Sequence, residues 1–80
     1  MSIQRGEVRH AFGRALRAAR EAKGWTQDAL GDQVGILADS VERIERGRSE
    51  PTLNLQWRLA NALGMKVSDL WERAEEEMRR

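Results

Sequence analysis

Four glycines divide this chain into short segments, and each segment repeats apolar residues with the spacing of one helix face. Gly24, Gly35, Gly47 and Gly64 each directly follow such a segment. Glycine readily adopts the left-handed backbone conformation that ends many helices. Helices this short are stable only when their apolar faces pack on one another. The pattern therefore predicts five short helices around one small core.

Threonines mark two of the predicted helix starts. Thr26 and Thr52 stand directly before apolar segments, where a hydroxyl oxygen accepts from a free backbone N–H of the first turn. The expected fold class is all-α, as one compact domain over residues 1–80. Its helices are predicted over residues 8–23, 27–34, 38–46, 53–63 and about 67–79.

The lack of cysteine limits the chemistry that this chain can perform. Disulfides and thiolate metal sites are excluded, and His10 is the single histidine, which excludes a histidine-rich site. No serine has a histidine nearby in sequence, and 80 helical residues rarely form the cleft that a catalytic triad needs. We therefore expect no enzymatic activity, no metal, no cofactor and no small-molecule ligand.

The apolar residues are too dispersed for a membrane protein. No apolar run approaches the roughly 18 residues of a membrane span. The first ten residues, MSIQRGEVRH, have no apolar stretch typical of a secretory signal. We therefore expect a cytoplasmic location.

The net charge of +1 conceals an uneven distribution of charge. Residues 1–24 carry six basic and two acidic side chains, whereas residues 25–50 carry three basic and six acidic ones. Any nucleic-acid surface must then depend on individual arginines rather than on a generally basic face.

Residues 26–47, TQDALGDQVGILADSVERIERG, have the spacing of a helix-turn-helix. Two short helices that cross steeply need a turn of about three residues with one positive φ, which Gly35 supplies. Gly31 allows a close approach, and because a glycine inside a helix costs ~1 kcal/mol, its presence suits a packing role. The residues expected to wedge the pair onto the core are Leu30, Val34, Ile36, Val41 and Ile44.

The chain resembles the lambda-repressor-like helix-turn-helix family, the Cro/repressor or Xre type. The matching segments are RALRAAREAKGWTQDAL, GDQVGI, VERIERGRSEPTL and RLANALG followed by VSDLW, which together cover about residues 12–71. The length and the C-terminal helix also resemble, more weakly, the controller proteins of restriction–modification systems. The resemblance implies a five-helix DNA-binding domain of a bacterial or phage transcriptional regulator, with its helix-turn-helix at the second and third helices.

The resemblance also implies roles for individual residues. Gln27 matches a glutamine that contacts phosphate and braces the DNA-reading helix. Arg20 and Glu45 match a pair that forms a partly buried salt bridge between the first and third helices. The residues implied to face DNA are Ala38, Asp39, Ser40 and Arg43 at base edges, and Arg46 and Arg48, with the backbone of Gly47, at the DNA backbone.

Four positions depart from the family pattern or leave alternatives open. Leu37 stands where a serine or threonine usually caps the third helix, so Asp39 either caps that helix instead or accepts from a cytosine amine. Glu42 is either a solvated charge or a residue that acts at the DNA or orients Arg43. Gln56 stands where leucine is common.

Two functions from different classes fit the sequence. The first is a sequence-specific transcriptional regulator that binds a palindromic operator in double-stranded DNA as a homodimer, through a major-groove recognition helix, in association with the nucleoid. The alternative is a helix-turn-helix protein-interaction module, antitoxin-like, with weak or no DNA binding, which the acidic excess of residues 25–50 favours. The apolar residues expected at a dimer interface are Leu55, Trp57, Met65, Val67 and Met78, although Trp57 also fits the core.

Overall fold

Five α-helices make up most of the chain in a computed structural model, which describes residues 3–80 apart from the side chain of Arg5. The helices are α1 (Arg5–Ala22), α2 (Gln27–Val34), α3 (Ala38–Glu45), α4 (Leu53–Ala62) and α5 (Val67–Met78). Within residues 3–80 there is no strand. The predicted all-α class is thereby confirmed, while residues 1 and 2 of the predicted domain lie outside the described part. None of these helices has the length and apolar content of a membrane span.

The starts of α2 and α4 are capped by the two predicted threonines. Thr26 Oγ1 and Thr52 Oγ1 each accept from the backbone N–H three residues further on, at 3.0 and 3.1 Å. At α5 the contact runs in the opposite direction, because the carboxylate of Asp69 accepts from the backbone N–H of Lys66 at 3.1 Å. Each contact satisfies an N–H that a helix start would otherwise leave unpaired.

The turn between α2 and α3 depends on two glycines. Gly35 ends α2 with φ of 81° and donates its N–H to the carbonyl of Gly31 at 2.7 Å. A Cβ on Gly31 would lie 2.5 Å from the carbonyl oxygen of Ile36. The predicted need for a small residue at position 31 is confirmed. The group that approaches Gly31 closely is the backbone of the turn between α2 and α3.

The core forms where α1 lies against α3 and α5, with α4 closing over α2 and α5. Its largest fully buried side chains are Leu16, Leu30, Leu59, Leu70 and Val41. Each of the five helices contributes at least one of them, so no helix has an independent core. The apolar stripes of α1–α5 are therefore stabilised only together.

Trp57 lies on the outer face of α4 and is 58% exposed, so its interpretation as a core residue is wrong. The inward face of α4 is filled by Gln56, Leu59 and Ala60. Residues three and four apart share a helix face, so Gln56, Leu59, Ala60 and Leu63 form the buried stripe, and Trp57 lies outside it. Gln56 tolerates burial because both ends of its amide are hydrogen-bonded. Its nitrogen donates to the Pro51 carbonyl, and its oxygen accepts from the indole N–H of Trp71.

Candidate nucleic-acid interface

A buried ion pair joins α1 to the end of α3. Arg20 Nε lies 2.6 Å from Glu45 Oε2 and Arg20 Nη2 lies 3.0 Å from Glu45 Oε1, with the two side chains only 9% and 3% exposed. Gln27, the first residue of α2, donates its amide N–H to the same carboxylate at 3.0 Å. Arg20 Nη1 also donates to the carbonyl of Trp25 at 2.6 Å. These contacts fix α1, α2 and α3 relative to one another.

This arrangement removes one acid from the outer surface of α3. The hydrogen bond with Glu45 raises the pKa of Arg20 above its already high ordinary value, against the opposing effect of burial. Because the folded-state pKa is raised, the ion pair stabilises the folded protein at every pH below the ordinary arginine pKa. This stabilisation is lost only as pH rises through the higher pKa of the folded protein. The outer face of α3 is accordingly less acidic than the sequence of residues 25–50 suggests.

The outward face of α3 presents two arginines, each paired with an acid one turn earlier. Arg43 Nε lies 3.4 Å from Asp39 Oδ2, and Arg46 Nε lies 3.6 Å from Glu42 Oε1. All four side chains are at least 44% exposed, and such pairs contribute only about 0.3–0.5 kcal/mol. Both arginines can therefore exchange their partners for a ligand at little energetic cost. Ala38 and Ser40 lie beside them, half-buried.

Two interpretations of the acids on α3 are wrong. Asp39 does not cap the helix, since the start at Leu37 has no side-chain cap and the Asp39 carboxylate points to Arg43. Glu42 does not orient Arg43 either, because it pairs with Arg46. The reason is the same for both: side chains four residues apart on a helix meet on one face.

The backbone of residues 46–48 is committed to ending α3. The N–H groups of Arg46, Gly47 and Arg48 donate to α3 carbonyls at 2.9, 3.0 and 2.9 Å. Gly47 has a positive φ of 72°, the left-handed backbone conformation with which many helices end. Of the Gly47 backbone that the family resemblance implies at the DNA, the N–H group is therefore already used within the protein. Only the side chains of Arg46 and Arg48 extend from this segment, and within residues 3–80 Arg48 is exposed and forms no ion pair.

Two residues of α1 that sequence reasoning missed contact this same segment. Arg9 Nε donates to the carbonyl of Gly47 at 3.1 Å, across 38 positions of sequence. The ring of His10 lies over the glycine, within 2.8 Å of where a Cβ on Gly47 would stand. No local pattern signals a contact between residues so far apart in sequence.

Gly13 is a third residue that sequence reasoning missed, and it sets how closely α1 approaches α3. A Cβ here would lie 2.4 Å from the carbonyl oxygens of both Ile44 and Glu45. The close approach brings the backbone of α1 against the end of α3, beside the buried Arg20–Glu45 pair. From the sequence alone, Gly13 is indistinguishable from a tolerated helix glycine.

Arg58 supports the turn of the helix-turn-helix from α4. Its Nη2 donates to the carbonyl of Val34, the last residue of α2. A cation at this end of a helix satisfies an unpaired carbonyl and interacts favourably with the helix dipole. The interface is therefore braced by α4 as well as by α1.

The five residues predicted for a dimer interface do not form one surface. Leu55, Met65 and Val67 are half-buried against the core, whereas Trp57 is exposed. Met78 lies at the opposite end of α5 from Val67, about 16 Å away at the rise of an α-helix. It borders a shallow groove that is also lined by Gly6, His10 and Arg14.

No metal site is evident in the part of the chain that the structure describes, where no three His, Asp or Glu side chains cluster suitably. A cleft of about 210 Å³ lies between α1, α4 and α5, with Phe12, Pro51 and Trp71 among its lining residues. It is smaller than the ~300–1,000 Å³ of most ligand pockets, whereas the shallow groove beside Met78, at about 460 Å³, lies within that range.

Comparison with known proteins places this arrangement in a family. Residues 11–72 match the family described as "Helix-turn-helix domain". The chain belongs to the lambda-repressor-like helix-turn-helix family of transcriptional regulators. A curated member, the transcriptional regulator ClgR of Mycobacterium tuberculosis (strain CDC 1551 / Oshkosh), is 34% identical over 73 residues, which are 91% of this chain and 65% of the relative.

Solved structures of the family share most of this arrangement of helices. The clp gene regulator ClgR from Corynebacterium glutamicum superposes with a TM-score of 0.88 at 33% identity, over 90% of this chain and 77% of that one. The restriction–modification controller protein C.AhdI from Aeromonas hydrophila gives 0.74 at 34% identity, over 76% and 92%. The weaker predicted resemblance to such controllers is thereby confirmed.

The same fold also occurs within an enzyme. Hydroxypropylphosphonic acid epoxidase from S. wedmorenis gives a TM-score of 0.73 at 28% identity over 78% of this chain, but over only 33% of the epoxidase. The fold therefore does not by itself determine how a family member acts, and the residues of the interface must carry that argument.

Proposed function

We propose that this chain is a sequence-specific transcriptional regulator that binds double-stranded DNA as a homodimer and places α3 of each subunit in the major groove. The observation that carries the proposal is the burial of Glu45 against Arg20 and Gln27. Because Glu45 is buried, its negative charge is absent from the outward face of α3. That face presents Arg43 and Arg46 as its cations.

Arg43 is the main base-reading residue in this proposal. Arginine recognises guanine through two hydrogen bonds, which is the commonest base-specific contact. Its exposed pairing with Asp39 at 3.4 Å contributes little in water, so it is readily exchanged for a base. The released Asp39 carboxylate is then free to accept from a cytosine amine. Ala38 and Ser40 complete the base-facing surface.

Phosphate contacts from both ends of the helix-turn-helix fix the register on DNA. The Gln27 amide has two N–H donors, of which one is committed to Glu45 and the other remains for a phosphate oxygen. Gln27 also opens α2, where the helix dipole favours an anion. At the other end, the exposed side chains of Arg46 and Arg48 meet the neighbouring phosphates.

Specific binding requires two copies of the chain, because α3 has only eight residues and spans about 12 Å. A symmetric dimer doubles the base contacts and requires half-sites about 34 Å apart. We place the dimer contact on the exposed face of α4, where Leu53 is 82% and Trp57 58% exposed one turn apart. Leu55, Met65 and Val67, which are half-buried against the core, would border this contact. Met78 lies too far along α5 to belong to this surface.

The alternative function, a helix-turn-helix protein-interaction module with weak or no DNA binding, is favoured by one observation. Leu37 is 75% exposed in the turn directly before α3, and burial against a partner protein would remove this large apolar side chain from water. A partner protein that covers Leu37 would occupy the same surface as DNA.

Selection of duplexes from a random pool, followed by a mobility shift with the enriched site, tests the proposal. We expect a palindromic site with half-sites one helical turn apart and an affinity that falls steeply with salt. Failure to enrich any sequence, together with capture of a protein partner that a Leu37→Asp variant no longer captures, would support the interaction module instead.

A further inference from the structure

The segment between α3 and α4, residues 46–52, is held from two sides by groups distant in sequence. At its beginning, Arg9 donates to the Gly47 carbonyl at 3.1 Å and the His10 ring packs on the glycine. These two residues of α1 restrain both the carbonyl and the Cα of Gly47. Arg48 directly follows this restrained glycine, and its own N–H donates to the carbonyl of Arg43 at 2.9 Å.

The end of the same segment is held from α4 and α5. Gln56 Nε2 donates to the Pro51 carbonyl at 3.1 Å, and Trp71 Nε1 donates to Gln56 Oε1 at 2.8 Å. The Trp71 ring also lies 5.0 Å from the ring of Phe12 on α1. Movement of the segment as a whole is therefore opposed at both ends, and the contact with Arg9 lies at the end that carries Arg48.

Arg9 is suited to hold the segment rather than to meet a ligand. Its Nε is engaged by Gly47 and its Nη1 lies 3.4 Å from the carboxylate of Glu50, so the guanidinium reaches two points of the segment. Its side chain is 31% exposed and lines the cleft beside Phe12 and Trp71. The rigid fork of an arginine can make such paired contacts. Arg9 also precedes the residues 11–72 that match the family, so the general family pattern does not account for it.

We propose that Arg9 is a positioning residue for the DNA-backbone contact: by holding the Gly47 carbonyl, it fixes the segment from which Arg48 reaches a phosphate, without touching DNA itself. The inference rests on the proposed function. Its physical basis is preorganisation, since a segment that is already ordered in the free protein loses less conformational entropy on binding.

A double-mutant cycle tests the coupling between the two arginines, using Arg9→Ala, Arg48→Ala and the double variant. We expect Arg9→Ala to weaken binding of cognate and scrambled duplexes alike by about three- to tenfold, without changing the salt slope. In the Arg48→Ala background the same substitution should weaken binding by less than about twofold. Thermal melting of each variant establishes that it is folded.

Arg14→Ala is the matched control. It removes the same charge from the same helix and breaks an ion pair with Glu77 on α5 at 3.2 Å, yet it leaves the 46–52 segment alone. Its effect on binding should be less than about twofold and additive with Arg48→Ala. Amide hydrogen exchange of the free protein gives a second measurement: exchange at the Arg48 N–H should accelerate in Arg9→Ala but not in Arg14→Ala.

Two results would overturn the positioning role while leaving DNA binding intact. One is that the effects of Arg9→Ala and Arg48→Ala on binding are additive and that hydrogen exchange at the Arg48 N–H is unchanged in Arg9→Ala. The other is a salt slope that drops by one unit per subunit in Arg9→Ala, which would make Arg9 a direct phosphate contact. A wild-type protein that binds no duplex would instead overturn the proposed function, and this role of Arg9 with it.

Discussion

The guanidinium of Arg20 and the carboxylate of Glu45 face each other across the contact of α1 and α3, with two N–O distances of 2.6 and 3.0 Å. Glu45→Gln keeps the size of the side chain but leaves Arg20 charged and uncompensated in a buried setting. We expect the free energy of unfolding to fall by about 3 kcal/mol. Urea denaturation of the two proteins measures the difference.

The control for this substitution is Glu21→Gln, which breaks the Arg17–Glu21 pair on the surface of α1. Both of its side chains are more than half exposed, at 64% and 54%, so the expected loss is below about 0.5 kcal/mol. Equal losses in the two variants would show that burial adds nothing to the Arg20–Glu45 pair.

Gly13→Ala should destabilise the fold by about 1–3 kcal/mol, because the added methyl group would lie 2.4 Å from two backbone oxygens of α3. Gly6→Ala, in the same helix, meets nothing closer than 3.9 Å and should stabilise by up to about 0.5 kcal/mol through helix propensity. The melting temperatures of both variants decide the matter. A Gly13→Ala protein as stable as Gly6→Ala would contradict the close approach of α1 to α3.

Arg43→Ala should reduce affinity for the selected site by about 1–3 kcal/mol per altered base contact and relax sequence preference there. The reason is loss of the paired hydrogen bonds to guanine, while the phosphate contacts persist. Fluorescence anisotropy with cognate and scrambled duplexes measures the ratio of affinities. Discrimination at the wild-type level would mean that α3 is not the reader, and the interaction-module alternative would then gain support.

Arg48→Ala should behave differently, weakening cognate and scrambled duplexes equally. Each lost phosphate contact lowers the dependence of log affinity on log salt by about 0.9, hence by nearly two units in a symmetric dimer. A salt titration from low to physiological ionic strength gives the slope. An unchanged slope would place Arg48 away from the DNA backbone.

Trp57→Ala should weaken self-association by about 2 kcal/mol, since exposed tryptophans at the centre of interfaces contribute strongly. Met78→Ala, which truncates a side chain at the other end of α5, should leave association unchanged. Sedimentation equilibrium over a range of concentrations, with and without DNA, compares the two. Wild-type protein that stays monomeric at high micromolar concentration in both conditions would exclude the proposed dimer.

Local signals in the sequence predicted most of the fold. Helices α2 to α5 lie within one or two residues of their predicted bounds, and α1 begins three residues earlier than predicted. The threonine caps and the glycine stops act on backbone groups no more than a few residues away, so adjacent letters of the sequence carry that information. The Arg20–Glu45 pairing was implied only by the family resemblance.

The surface properties of α3 were predicted less well, because they depend on which partner each charge finds. Asp39 and Glu42 each had several available partners, and only the helix geometry selected Arg43 and Arg46. Similarly, Trp57 is exposed because Gln56, its polar neighbour, lies on the inward face of α4. Gln56 can be buried there because its amide is hydrogen-bonded to the Pro51 carbonyl and the Trp71 indole N–H.

By itself the sequence determined the number of helices, where they end, the helix-turn-helix at residues 26–47 and the family. The tertiary structure alone decided that Arg9 and His10 restrain Gly47, that Gly13 admits the end of α3, and that the N–H groups of residues 46–48 are already used. The physical reason is range. Helix starts and stops are satisfied within one turn of chain, whereas a contact across 38 residues exists only after the core has brought α1 beside the end of α3.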